Sequence, residues 1–186
     1  LTKSLVHPYV PRFPRHVSYD LVLFGSWRRK GVYVGEKQIA SPGSYPVAGF
    51  NFAPMYNLNY KLRFGVSLDG VYDGSANVYT EDALVEYDAG SGSSRRKFLV
   101  PGIQNQLALG LSGRAEYVMP FFTIGVGLGT NVLGRGDLRG LYQVFALKIN
   151  VTRSSFLHIG YNLQDFQTPN YLMLGLGFRF NNKYPK

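Results

Sequence analysis

Cysteine is absent from the sequence, so there is no disulfide framework, no thiolate metal site and no thiol nucleophile. Long apolar runs are missing as well. No stretch approaches the ~18 consecutive apolar residues that a membrane-crossing helix needs. Apolar residues at helical spacing do not recur either, which excludes a helical bundle. The three histidines, His7, His16 and His158, are too scattered for metal-ligand spacing, and no metal or other cofactor is expected.

What is plentiful is glycine (22), tyrosine (14) and phenylalanine (13), and these are set in strict alternation. Toward the end of the chain, Leu172, Leu174, Leu176, Phe178 and Phe180 share one parity, while Met173, Gly175, Gly177 and Arg179 share the other. Side chains of a strand alternate between faces, so one face is apolar and the other small or polar. The preceding segment repeats this, with Leu157, Ile159, Tyr161 and Leu163 against His158, Gly160, Asn162 and Gln164. Six more segments read the same way, at roughly 17–27, 47–60, 62–73, 105–118, 121–130 and 141–152.

Short turns near Tyr60–Lys61, Met119–Pro120 and Arg153–Ser154 alternate with long connections at about 28–46, 74–104 and 131–140 and a medium one at 164–170. Short periplasmic turns and long external loops are the habit of outer-membrane barrels. The expected fold is all-β, an eight-stranded antiparallel transmembrane β-barrel over residues 16–181. Residues 1–15, with Pro8, Pro11 and Pro14, form a periplasmic leader, and 182–186 a short tail. An even strand count puts both termini in the periplasm and the long loops outside a bacterial outer membrane.

The polar parity separates a membrane barrel from a soluble, lipocalin-like one. It is rich in Gly, Ser and Asn, with few charges of mixed sign: Asp20, Asp69 and Glu116 against Arg63, Arg114, Lys148 and Arg179. A water-facing surface would be dominated by Lys and Glu. Small residues with balanced charges suit a narrow lumen in which buried charges must be paired, so these seven form the expected lumen network. Eight strands leave no room for a solute pore.

The stretches Phe156-Leu157-His158-Ile159-Gly160-Tyr161 and Pro169-Asn170-Tyr171 through Phe180 resemble the end of PagL-like lipid A deacylases, the acyloxyacyl hydrolase family. Val47-Ala48-Gly49-Phe50, Ser67-Leu68-Asp69-Gly70-Val71-Tyr72-Asp73 and Arg114-Ala115-Glu116-Tyr117 resemble Bacteroidota-type members. The resemblance implies an eight-stranded barrel. In its active members a His-x-Ser-Asn motif supplies base, nucleophile and oxyanion donor, with a Glu farther on orienting the His. Here the resemblance makes His158 the candidate catalytic residue, but Gly160 and Tyr161 stand at the Ser and Asn positions and no acid follows in the last strand. Parity also assigns His158 to the lumen, where a hydrogen-bonded histidine is expected, rather than to the lipid face that an attack on lipid A requires.

The formal net charge is +9. On this topology the external loops carry nine basic and eight acidic residues, and the lumen four and three. The periplasmic side holds Lys3, Arg12, Arg15, Lys61, Arg153, Lys183 and Lys186 with no acid. No nucleic-acid patch is indicated. Arg28, Arg29 and Lys30, directly after Trp27, lie where lipopolysaccharide phosphates would be and are the expected lipid contact. Gly125-x-Gly127-x-Gly129 precedes no helix and is a lumen-facing strand, not a nucleotide loop. The leading functional expectation is a non-catalytic barrel serving as accessory or structural subunit of a larger outer-membrane complex for assembly, export or uptake. A lipid A acyl hydrolase is the alternative, and a surface ligand-binding barrel a further one.

Overall fold

The computed structural model describes residues 12–183 apart from 30, 35–36, 41–43, 89–92 and 167, and turns the alternating sequence into twelve strands. These are β1 (His16–Arg28), β2 (Gly31–Val34), β3 (Lys37–Ala40), β4 (Tyr45–Asn57), β5 (Leu62–Asp73), β6 (Tyr79–Asp88), β7 (Ser93–Leu99), β8 (Leu107–Val118), β9 (Phe122–Leu133), β10 (Leu141–Asn150), β11 (Ser155–Gln164) and β12 (Thr168–Phe180). Eight of them close into one antiparallel barrel in the order β1-β12-β11-β10-β9-β8-β5-β4. The seam runs from Tyr19 opposite Phe180 to Gly25 opposite Leu174, so no barrel strand is left with an open edge. Closure pairs the backbone polar groups inside the sheet, which is what a strand crossing hydrocarbon requires.

Alternation separates the two faces. On β1, His16, Ser18, Asp20, Val22, Phe24 and Ser26 are buried, while Val17, Tyr19, Leu23 and Trp27 are exposed. On the other strands the exposed set includes Phe64, Val66, Leu111, Ile124, Val126, Leu128, Phe145, Leu157, Leu174 and Leu176. An apolar band around a polar interior is the inverse of a soluble barrel and marks a transmembrane one.

Side chains fill the interior throughout. Toward the end that carries the long loops, Phe24, Val47, Tyr142, Val144, Ala146, Tyr171 and Met173 pack into an apolar plug. Ala76, Ala108 and Leu138 form a smaller cluster above it. The cavity beside Asp69 and Tyr142 has about 30 Å³ of free space, room for about one water molecule.

Two connections differ from the reading of them as plain loops. Residues 29–44 contain the β2–β3 hairpin, with Val32 opposite Ile39, and 74–106 contain the β6–β7 hairpin. Long excursions must pair their backbone groups, and these segments carry β-forming residues in alternation. β4 stops at Asn57 although the alternation runs on through Leu58 and Tyr60. The Asn59 carboxamide oxygen accepts the N–H groups of Lys61 and Leu62, both at 2.8 Å, and turns the chain there. At the other extreme, β9 runs to Leu133, three residues past its expected end.

Gly175 marks the tightest approach at the seam. A Cβ there would lie 2.1 Å from the Leu23 carbonyl oxygen and 2.8 Å from the Phe24 Cα. Gly175→Val is expected to lower stability by about 1–3 kcal/mol, read as a shifted urea midpoint in micelles. Gly102→Ala, where nothing lies within 4 Å, should leave the midpoint in place.

Candidate functional site

Five charged side chains from five strands meet in the lumen near the short-turn end. The Asp20 carboxylate accepts Arg179 Nε at 2.9 Å and Lys148 Nζ at 2.8 Å, and it also accepts Arg63 Nη2. Glu116 takes Arg63 Nε and Lys148 Nζ, both at 2.6 Å. Arg63 and Lys148 therefore each bridge the two carboxylates. Three cations face two anions, and the ring of buried Phe156 lies against the surplus charge. Lys148 Nζ is 5.0 Å from its centroid and Arg179 Cζ 5.2 Å, which is cation–π geometry.

The other two charges of the expected network form a separate cluster farther along the lumen. Asp69 accepts Arg114 Nη2 at 2.9 Å, Ser112 Oγ and Tyr142 Oη at 2.6 Å, Asn51 Nδ2 at 2.7 Å and Ser67 Oγ at 2.5 Å. At the loop end, Arg28 Nη1 donates to buried Asp73 at 2.9 Å, and the other oxygen of Asp73 accepts the Ser75 N–H and hydroxyl. Of the three residues read as a lipopolysaccharide contact, Arg28 thus points back to Asp73, Arg29 is exposed, and Lys30 lies outside the described residues.

His158 lies in the lumen and is 2% exposed, opposite Lys148 on β10 and Gly175 on β12. Its neighbours of opposite parity, Leu157, Ile159 and Tyr161, face outward. The expectation of a hydrogen-bonded histidine needs correction: neither ring nitrogen has a partner among the described residues. Glycines at 160 and 175 offer no side-chain acceptor. A Cβ at Gly160 would lie 2.7 Å from His158 Nε2, so the imidazole fills the space a serine there would need. Among the described residues, the outward face of the barrel strands carries no histidine and no carboxylate: Asp20, Asp69, Asp73, Glu116, His16 and His158 all point inward.

Two contributors were missed in the sequence. Phe156 carries no polar signal, and its place beside the cations is set by register alone. Gln143, between inward Tyr142 and Val144, must point outward. It is 4% exposed, and its Oε1 accepts the Phe166 N–H at 2.9 Å. That bond holds the turn at Asp165 and Phe166, both at positive φ, against the outer wall. The signal was available, a long polar residue at an outward parity position.

A family model described as acyloxyacyl hydrolase, C-terminal domain (PagL_C), matches residues 17–182. No curated protein matches the chain. Among solved structures, Ail, the attachment invasion locus protein of Yersinia pestis, is 16% identical with a TM-score of 0.44, covering 88% of this chain and 98% of that one. Neisserial surface protein A is 15% identical with a TM-score of 0.41, covering 89% and 96%.

Asp20→Asn would leave Arg63, Lys148 and Arg179 buried together with one fewer countercharge. A loss of about 3–5 kcal/mol is expected, measured by equilibrium unfolding in micelles. The exposed substitution Asp165→Asn should stay within about 0.5 kcal/mol of the parent.

Proposed function

Because the chain belongs to the acyloxyacyl hydrolase (PagL_C) family, we propose that it keeps this outer-membrane scaffold without the chemistry, acting as a non-catalytic accessory or structural subunit of a larger outer-membrane complex. One observation carries the non-catalytic part. Acyl transfer by a hydroxyl needs a base within hydrogen-bond reach, and an acyl chain in the membrane reaches only the outer face. The described outer face holds neither a histidine nor a carboxylate, and the one motif residue retained, His158, is enclosed in the lumen.

The accessory role is supported by what remains when catalysis and transport are removed. The lumen is filled by its own side chains, so the surfaces available for function are the outer wall, the turns and the loops. The outer wall is not uniform. Glycine and alanine open a groove of about 480 Å³ beside Ala48, Gly70, Leu107 and Leu133, and another of about 500 Å³ beside Gly113, Ala115, Phe145 and Phe166. Grooves of this size admit side chains of a neighbouring membrane protein. In the proposed orientation the short turns and both termini lie in the periplasm and the loops outside. Exposed Arg29 then meets lipopolysaccharide phosphate at the outer surface.

Family membership favours one competing reading, an acyl hydrolase acting on lipid A. Two experiments separate them. Lipid A incubated with the folded protein is expected to keep every acyl chain by mass spectrometry, with His158→Ala changing nothing. An acyl chain lost to the parent and retained with His158→Ala would establish the hydrolase. Extraction from its own membrane in mild detergent is expected to bring the barrel out within a larger assembly, and a lone 20.8 kDa species would contradict the accessory role.

A further inference from the structure

Positive charge gathers at the short-turn end of the barrel. The described residues of the short-turn end include exposed Arg12, Arg15, Lys61, Arg153 and Lys183 and no acidic residue. These cations stand on fixed backbone. The Lys61 carbonyl accepts the Val118 N–H at 2.6 Å, and the Arg153 carbonyl accepts Asn182 Nδ2 at 3.0 Å. His16 joins the segments on either side of the barrel, donating Nδ1–H to the Pro14 carbonyl at 2.7 Å and accepting the Lys183 N–H at Nε2 at 3.1 Å. Phe13 packs edge-on against Tyr60 with centroids 4.8 Å apart, which holds the Arg12–Arg15 segment against the turn that carries Lys61.

Apolar residues stand exposed among these cations. Phe121 is 78% and Val151 62% exposed at the tips of two turns, and Tyr60, Tyr117 and Phe180 are exposed beside them. Turn tips that expose phenylalanine and valine are immersed at the membrane interface and not held out in water, and aromatic residues collect at headgroup level. Fixed lysines and arginines at that same level meet lipid phosphates, and their charge favours headgroups that are net negative.

We propose that the short-turn rim is a binding surface for anionic phospholipid headgroups, with Lys61, Arg153 and Lys183 as the principal contacts. The rim selects by charge: a zwitterionic headgroup offers a phosphate with its own countercharge attached, whereas an anionic one leaves its phosphate for the rim. The aromatic and apolar turn residues pack against the upper acyl chains of the same lipids. This surface is independent of the fate of His158 and of whether a larger complex exists.

The full chain is reconstituted in phosphatidylcholine membranes containing spin-labelled phosphatidylglycerol or spin-labelled phosphatidylcholine, and the protein-bound fraction of each is read by electron spin resonance. Phosphatidylglycerol is expected to associate more strongly, with a preference that falls as salt is raised. The combined variant Lys61→Gln, Arg153→Gln, Lys183→Gln should lose most of that preference, at about fivefold in association for each cation in direct contact. Arg135→Gln with Arg139→Gln at the loop end, both exposed, should keep it, and heat-modifiable migration on gels confirms that both variants are folded. Equal association of the two lipids with the parent protein would overturn the proposal. So would a preference that survives the triple substitution. Capture of an acidic periplasmic polypeptide by the rim, without lipid preference, would assign the surface to a protein instead.

Discussion

Eight tilted strands enclose a lumen just wide enough for side chains, and whatever charge enters it must be neutralised there because neither water nor lipid can do so. Asp20, Arg63, Glu116, Lys148 and Arg179 meet that constraint by bridging β1, β5, β8, β10 and β12, strands separated by up to 159 positions in the chain. Each contact is available only when the barrel is closed in one register. A one-residue slip of any of these strands would turn its charged residue into lipid and its leucines into the lumen. The network is thus best understood as what specifies the register, with the apolar stripe supplying the drive to insert.

That register also sets where the retained motif residue points. The pairing that brings Lys148 opposite His158 and His158 opposite Gly175 turns the imidazole inward. The substitutions at the family's motif positions agree with this. Gly160 relieves crowding beside the imidazole, and Tyr161 joins the outward aromatic and aliphatic band.

Much of this was legible in the sequence because the period of a strand is two and each face has a distinct solvent. Eight strands, their order of short and long connections, the lumen charges and the inward His158 all follow from parity. The separation of the charges into two clusters was not legible, since which of seven residues meet depends on strand tilt and register across the barrel. The Arg28–Asp73 pair was not legible for a related reason. Arg28 follows Trp27 as a headgroup contact would, yet its even position turns it inward to Asp73, 45 residues away. Asn59 ended β4 through a side chain that accepts two backbone N–H groups, a local competition that alternation does not reveal. Gln143 is a polar residue whose parity puts it on the lipid side, where its carboxamide caps the turn at Phe166.

The central claim is the division of faces at the retained motif residue, with His158 in the lumen and Ile159 in the membrane. Paramagnetic relaxation by a nitroxide carried on lipid acyl chains reads this directly by nuclear magnetic resonance of side chains in reconstituted protein. Strong broadening of the Ile159 δ-methyl and the Tyr161 ring is expected, with the His158 ring protons spared. Broadening of the His158 ring equal to that of the Ile159 methyl would place the imidazole in the membrane and contradict this claim.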